Sequence, residues 1–181
     1  MRGDGWHICS SFPLKKTKQI IFDELENWKF RFCDSSSTFW NILYLLLFQK
    51  EYRNLIAYRL RKSSIIKSKL FELFFKPVET LYICTAKIGK GLFIQHGFAT
   101  IISAKEIGED CWINQQVTIG YKDSDAPVIG NRVRIHAGAI VIGNVHLGDD
   151  CVVGAGAVVT KDVPQGAVVA GVPARVIKQN H

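Results

Sequence analysis

The sequence has no apolar run long enough to cross a membrane as a helix. Its longest run, Phe39 to Phe48, is ten residues long and contains Asn41, whereas a spanning helix needs about 20 apolar residues. Between Met1 and Phe12 no basic stretch precedes an apolar core, so we expect no secretory signal peptide. The predicted location is the cytoplasm, with the inner face of the membrane as an additional site of contact.

Paired cysteine motifs are also missing. The cysteines form no Cys-x-x-Cys pair and are odd in number; they are Cys9, Cys33, Cys84, Cys111 and Cys151. This pattern argues against a disulfide framework or a zinc knuckle and indicates a reducing compartment.

An excess of one charge is confined to the N-terminal part. Residues 1–80 hold 14 Lys/Arg against 8 Asp/Glu, a net of +6, and residues 81–181 hold 9 against 8, a net of +1. The basic residues are not interleaved with a recognisable nucleic-acid-binding motif, so we predict no nucleic-acid partner.

Residues 1–80 are predicted to form helices. One face of a first helix is formed by Ile21, Leu25, Trp28 and Phe32. Ser35 to Ser37 is a predicted loop, the stretch from Phe39 to about Lys62 one long helix, and Ile65 to Phe75 a third. The long helix begins apolar on every side and therefore needs a partner on every side. Residues 39–76 are thus expected to pack against other parts of the assembly or to make a peripheral membrane contact.

The C-terminal part carries aliphatic residues at a six-residue period. They are Ile88, Ile94, Ile101, Ile107, Ile113, Ile119, Ile129, Ile135, Val141, Leu147, Val153 and Val159. Such a short period is typical of a parallel β-helix, in which each short strand buries one residue. Twelve inward positions at three per turn predict a mainly β fold with about four turns. We divide the chain into a helical segment at 1–80, a β-helix at 81–163, and a C-terminal loop and tail at 164–181.

The period is interrupted twice. The step from Ile94 to Ile101 is seven residues, and the step from Ile119 to Ile129 is ten. Insertions in a solenoid become loops that carry function. His96 lies in the first interruption, and the polar loop 121–127 fills the second.

Two C-terminal motifs resemble those of hexapeptide-repeat acyltransferases, which form left-handed β-helices. These motifs are GAGAVVTKDVP at 154–164 and AGVPARVI at 170–177. The segment IGKGLFIQHG at 88–97 resembles serine acetyltransferases, and more closely the colanic-acid and capsule acetyltransferases related to them. The resemblance implies a homotrimer, or a pair of trimers, with acetyl-CoA bound in the groove between neighbouring β-helices.

His96 is the candidate catalytic residue. Acetyl transfer to a hydroxyl needs a base that removes the hydroxyl proton, and an imidazole titrates near neutral pH. His96 follows inward Ile94 by two residues, where the coil is over length, so we expect the side chain to point outward.

Small residues indicate where a pantetheine arm would lie. Ala137–Gly138 and Ala155–Gly156 are 18 residues apart, one full turn, and therefore stack on one face. The resemblance implies that acetyl-CoA lies along this stripe. It also implies nucleotide-end contacts from Thr160, Lys161, Arg175 and Lys178, whose basic members suit phosphates.

The acceptor side departs from serine acetyltransferases. Those enzymes have Asp before the catalytic His, where this chain has Gln95, and Arg-His-Pro in the second loop, where it has Asp125-Ala126-Pro127. Their orienting acid falls on Leu81, with Glu79 as the nearest carboxylate in sequence. With Gln95 and Asp125 as candidate substrate-binding residues, we predict transfer to a sugar of a capsule or exopolysaccharide precursor, and serine O-acetyl transfer as the alternative.

Two other classes of function remain. A zinc enzyme on the same scaffold would use His96, His136 and His146, but the ten-residue step between the last two places them on different faces, so we predict no metal. A non-catalytic trimeric scaffold is the third class. It would tolerate loss of His96, whereas a transferase would not.

Overall fold

The computed structural model describes residues 14–32 and 37–179. Cys9, Cys33 and most of the loop predicted at Ser35 to Ser37 lie outside these residues. The described part contains four helices, which precede the β-structure: α1 (Leu14–Phe32), α2 (Thr38–Phe48), α3 (Lys50–Ser63) and α4 (Ile65–Phe74).

The long helix predicted from Phe39 to Lys62 is wrong, because the chain breaks at Gln49 into α2 and α3. Gln49 has φ −106° and ψ 92°, outside the helical region. The side chain of Arg53 explains the break: its Nε donates to the carbonyl of Leu46 at 2.6 Å, and its Nη1 to that of Lys76 at 3.1 Å. The bond to Leu46 satisfies a carbonyl at the end of α2, which in a continuous helix would accept from a backbone N–H one turn further on.

Fifteen short strands follow within the described residues. They are β1 (Leu81–Ile83), β2 (Lys87–Ile88), β3 (Phe93–Ile94), β4 (Thr100–Ile102), β5 (Glu106–Ile107), β6 (Trp112–Ile113), β7 (Thr118–Gly120), β8 (Val128–Ile129), β9 (Arg134–Ile135), β10 (Ile140–Ile142), β11 (His146–Leu147), β12 (Val152–Val153), β13 (Val158–Val159), β14 (Ala167–Ala170) and β15 (Arg175–Gln179).

The strands form three parallel sheets that make the sides of a prism. Sheet A has the order β1-β4-β7-β10-β13, sheet B β2-β5-β8-β11, and sheet C β3-β6-β9-β12-β14, with β15 antiparallel at its end. The chain runs from A to B to C and back to A in each coil. The predicted β-helix with an N-terminal helical segment is confirmed and is consistent with the left-handed form.

The solenoid has about five coils rather than the four predicted. The six-residue period misses β1 at its start and β14 at its end, and both strands continue the sheets. Residues 164–181, predicted as a loop and tail, contain β14 and β15. The division at 80/81 and 163/164 stays a prediction.

One predicted inward residue is wrong. Ile101 is 42% exposed, whereas Ile102 is fully buried and pairs with Ile119 in sheet A. The turn after Ile94 is two residues over length rather than one, and the next step, to Ile107, is one residue short. The remaining eleven predicted inward residues are buried.

The helices and the solenoid share one core. Trp28 of α1 is fully buried, and its Nε1 donates to the carbonyl of Leu92 at 3.0 Å. Its ring packs edge-on against that of Phe93, with the centroids 4.8 Å apart. The helical segment is therefore fixed to the first coils, where His96 lies.

A buried ion pair also joins α1 to α3. Arg59 donates to a carboxylate oxygen of Glu24, and its Nη1 donates to the carbonyl of Ile88 at 2.7 Å. Burial raises the pKa of the Glu24 carboxyl to about 7, an effect that Arg59 opposes. The second oxygen of this carboxyl has no hydrogen-bond partner among the described residues.

Candidate functional site

His96 lies at the corner where the chain passes from sheet C to sheet A. His96 is exposed to solvent. Its backbone has φ +52°, a left-handed conformation that is uncommon for residues other than glycine. The carbonyl of His96 accepts a 2.7 Å hydrogen bond from the N–H of Phe98, which closes a three-residue turn. The over-length coil thus forms a tight turn that presents His96 to solvent.

The small residues predicted to hold the cofactor lie on the same corner. Ala137 and Gly138 follow β9 as His96 follows β3, and Ala155 and Gly156 follow β12 in the next coil. Backbone hydrogen bonds connect successive coils at this corner. The N–H of Gly138 donates to the backbone carbonyl of Gln115 at 3.1 Å, and the N–H of Gly156 donates to the backbone carbonyl of Ala137 at 2.9 Å. At about 4.8 Å per coil, the stripe lies roughly 10–15 Å from the turn of His96.

The stripe is open to an extended ligand. Gly138 and Gly156 have φ +71° and +66°, and a Cβ added at Gly156 would meet no atom within 4 Å. A Cβ at Gly138 would meet only Gly156 atoms, at 3.9 Å. A narrow chain with amide groups could therefore approach the backbone here, which larger side chains would prevent.

Two polar residues missed by the sequence analysis lie between His96 and this stripe. Asn114 and Gln115 follow β6 in the intervening coil, and the buried Oδ1 of Asn114 and Oε1 of Gln115 have no hydrogen-bond partner among the described residues. Buried oxygens without partners are rare and costly, so an N–H donor from a ligand would stabilise them. The missed signal was their position, since they follow Ile113 as Gln95 and His96 follow Ile94.

The other predicted site residues do not all lie at the corner of His96. Gln95 precedes His96 at the C–A corner and is half-buried. Arg175 pairs with Ala170 at the end of β14, one coil beyond Gly154, and so reaches the same corner. Lys178 pairs with Val168 farther back along sheet C.

Three predicted residues lie at another corner, between sheets A and B. Asp125 closes a small hairpin in the loop between β7 and β8, where the backbones of Lys122 and Asp125 exchange hydrogen bonds of 2.9 and 3.1 Å. Thr160 and Lys161 follow β13 and are exposed at the same corner. A single chain therefore does not bring them to His96.

The carboxylate beside the His96 turn is neither Glu79 nor one at the position of Leu81. Glu51 of α3 accepts a 3.2 Å hydrogen bond from the N–H of Gly97. Leu81 is buried in the core, and Glu79 is exposed. No local pattern could identify Glu51, since it precedes Gly97 by 46 residues.

The three histidines of the zinc alternative are spread over the solenoid. His136 follows β9 at the C–A corner, two coils from His96, whereas His146 lies in β11 of sheet B. Within residues 14–32 and 37–179, no three His, Cys, Asp or Glu side chains are grouped to hold a metal ion.

Comparison with known sequences matches the repeat. Residues 126–161 match the family of bacterial transferase hexapeptide (six repeats). The serine acetyltransferase of Helicobacter pylori strain J99 is 44% identical over 100 residues, which cover 52% of this chain and 58% of the relative. The chain thus spans little more than half the length of this relative.

Comparison with solved structures matches the fold. The serine acetyltransferase from Brucella abortus strain S19 superposes with a TM-score of 0.73 at 23% identity, covering 92% of this chain and 70% of that one. A structure of that enzyme in complex with coenzyme A has a TM-score of 0.68 at 23% identity, covering 93% and 70%. These likenesses extend to the helices as well as the solenoid.

Proposed function

We propose that this protein is an acetyl-CoA-dependent O-acetyltransferase with His96 as its general base. The observation that carries the proposal is the stacking of the exposed His96 and the open stripe at Gly138 and Gly156 on one corner of the prism. The match of residues 126–161 to the hexapeptide transferases and the similarity to serine acetyltransferases support the same activity.

The proposed step is a direct transfer. His96 removes the acceptor's hydroxyl proton as the hydroxyl oxygen attacks the thioester carbonyl. The C–S bond breaks, the acetyl group stays on the acceptor oxygen, and the proton passes from His96 to the leaving thiolate of CoA. The side-chain oxygens of Asn114 and Gln115 would accept hydrogen bonds from the N–H groups of the pantetheine arm. Arg175 would face the phosphates of CoA.

Replacement of His96 tests this function against the scaffold alternative. We expect His96→Ala to lower kcat by at least a hundredfold, since a positioned base contributes 10²–10⁴-fold. Release of free thiol from acetyl-CoA in the presence of acceptor measures the rate. A scaffold would release no acceptor-dependent thiol even as the wild type, and wild-type turnover by His96→Ala would contradict the base assignment.

L-Serine is the first acceptor to test, since similarity to serine acetyltransferases supports it better than a sugar. A sugar hydroxyl of a capsule or exopolysaccharide precursor is the second candidate. Gln95, Asp125 and Leu81 favour it, because each stands where the serine enzymes carry a charged side chain that this chain lacks or replaces. Thiol release with serine and with a panel of nucleotide-linked and free sugars separates the two.

We further propose a homotrimer whose sites lie between neighbouring chains. The outward side of sheet A exposes Tyr82 and Ile101, apolar groups suited to burial against a second copy. Such a contact would bring Lys161 of one copy towards His96 of another. Mixed assemblies of His96→Ala and Lys161→Glu chains should then recover about a quarter of wild-type activity, because random pairing leaves one interface in four intact. No recovery would exclude a shared site.

Residues 39–76 support the proposed peripheral membrane contact. None of the described helices is long and apolar enough to cross a membrane. Yet Ser68 faces inward from α4, where it donates to the carbonyl of Ala57, while Ile66 and Phe74 are 75% and 72% exposed. The protein should sediment with anionic vesicles. The double variant Lys67→Glu/Lys69→Glu should bind these vesicles more weakly than the control Lys90→Glu/Lys105→Glu, which changes the net charge by the same amount. An equal loss of vesicle binding in both double variants would refute the contact, as would no binding by the wild type.

We also propose that the protein is located in the cytoplasm.

A further inference from the structure

Glu51 contacts the turn that carries His96. Its Oε1 accepts the 3.2 Å hydrogen bond from the N–H of Gly97, the residue next to His96. Gly97 is buried, and a Cβ there would lie 2.8 Å from Ile94 Cγ2, 2.9 Å from Leu81 Cδ2 and 3.2 Å from Glu51 Cγ. The backbone at Gly97 is thus wedged between the solenoid core and α3.

The turn needs such contacts because its backbone is strained. His96 and Ala99 have φ +52° and +50°, and a left-handed residue other than glycine costs about 1–2 kcal/mol. Conformations of this kind persist only where the surroundings over-determine them. The N–H of Ala99 donates to Thr80 Oγ1 at 3.2 Å, which holds the far side of the turn, and Glu51 holds the side of His96.

Glu51 itself is held firmly in place. Asn54 and Tyr58 follow it at three and seven residues and share its face of α3. The amide of Asn54 accepts from Val78 N–H at 2.7 Å and donates to the carbonyl of Leu81 at 3.2 Å. The hydroxyl of Tyr58 donates to the carbonyl of Thr85 at 3.1 Å. The helix therefore presents the carboxylate to the turn at a fixed place.

We propose, resting on the acetyl transfer proposed above, that Glu51 is the positioning residue for His96. Its carboxylate fixes the Gly97 N–H and thereby the direction in which the preceding imidazole points. It acts through the backbone: no hydrogen bond joins it, or any other described side chain, to the imidazole of His96. A charged acceptor makes this bond stronger than a neutral one would.

The test compares Glu51→Ala, Glu51→Gln and Glu79→Ala, the last being a matched loss of a nearby exposed carboxylate. Glu51→Ala should lower kcat about tenfold or more and leave the KM for acetyl-CoA within twofold, because a displaced base slows chemistry without touching the stripe. Glu51→Gln should stay within threefold of the wild-type kcat, since its amide oxygen can still accept from Gly97. Glu79→Ala should match the wild type.

Two further measurements separate positioning from folding. Asn54→Ala, which removes other bonds of α3, should lower the melting temperature more than Glu51→Ala but kcat less. Hydrogen exchange of the Gly97 amide should speed up in Glu51→Ala and not in Glu79→Ala, whether or not an acceptor is known.

The outcomes are distinct. A wild-type kcat in Glu51→Ala would overturn the assignment, as would unchanged exchange at Gly97. Equal losses in Glu51→Gln and Glu51→Ala would also overturn it, because they would show that the charge rather than the hydrogen bond matters. Absence of acetyl transfer in the wild type, with Gly97 exchange responding as expected, would refute the proposed function and leave the contact standing.

Discussion

Substitution of Gly156 by alanine tests the cofactor stripe with little other disturbance. An added Cβ meets no atom within 4 Å, so the cost to folding comes from φ +66° alone, about 1–2 kcal/mol. For a chain of this size we expect a melting temperature lower by roughly 2–8 °C. The same methyl group projects into the space proposed for the pantetheine arm and should displace it.

The kinetic consequence should appear in the donor. We expect the KM for acetyl-CoA to rise about tenfold or more in thiol-release assays, a loss of about 1.4 kcal/mol of binding, because the methyl group would block the close approach of the pantetheine arm to the backbone. Gly166→Ala is the control: its φ is +69°, and it lies just before β14 at the corner between sheets B and C, where its N–H donates to the carbonyl of Asp149. It should lose similar stability and keep the wild-type KM for acetyl-CoA. An unchanged KM in Gly156→Ala, with the expected fall in melting temperature, would refute the location of the donor.

Three other predictions concern the helical segment and the nucleotide end. Because the folded pKa of Glu24 is raised from 4.5 to about 7, its contribution to stability is present below pH 4.5 and is lost as the pH rises through 7. Urea unfolding should therefore show the wild type losing stability relative to Glu24→Gln between pH 5 and pH 8, and a constant difference would contradict the burial argument. Trp28→Ala should cost about 3–5 kcal/mol in the same assay, since the ring is fully buried and hydrogen-bonded; a loss below 1 kcal/mol would show that α1 is not fixed to the solenoid. Arg175→Gln should raise the KM for acetyl-CoA severalfold at low salt and less at high salt, whereas a salt-independent change would argue against contact with phosphate.

The solenoid could be predicted because the same packing requirement recurs in every coil. Each face of the prism must bury one aliphatic side chain per coil, so the six-residue period can be recognised in one sequence alone. The bulge at His96 was also visible as an over-length step. Its size was not, because Ile101 and Ile102 are both aliphatic and either could fill the core.

Features made by long-range contacts could not be predicted. The break at Gln49 has no glycine or proline to mark it and depends on Arg53 reaching back to Leu46 and across to Lys76. The contact between Glu51 and Gly97 depends on how α3 docks on the first coil. Local patterns encode the fold of the solenoid, but the surroundings of His96 depend on an element that lies far away in sequence.

The carboxylate of Glu51 also affects which acceptor the protein could recognise. A free amino acid carries an ammonium group that would need a negative partner beside His96, and Gln95 cannot supply one. Glu51 is the carboxylate that contacts the turn, through Gly97, so recognition of serine would draw on its charge as well as its hydrogen bond. With serine, Glu51→Gln should then raise the KM for the acceptor about tenfold at nearly unchanged kcat, a loss of about 1.4 kcal/mol of binding. With a sugar, which has no ammonium group, the same variant should leave the acceptor KM unchanged. Glu79→Gln is the control in both assays, and a tenfold rise in that variant would show that general surface charge, not the carboxylate at the turn, governs the acceptor.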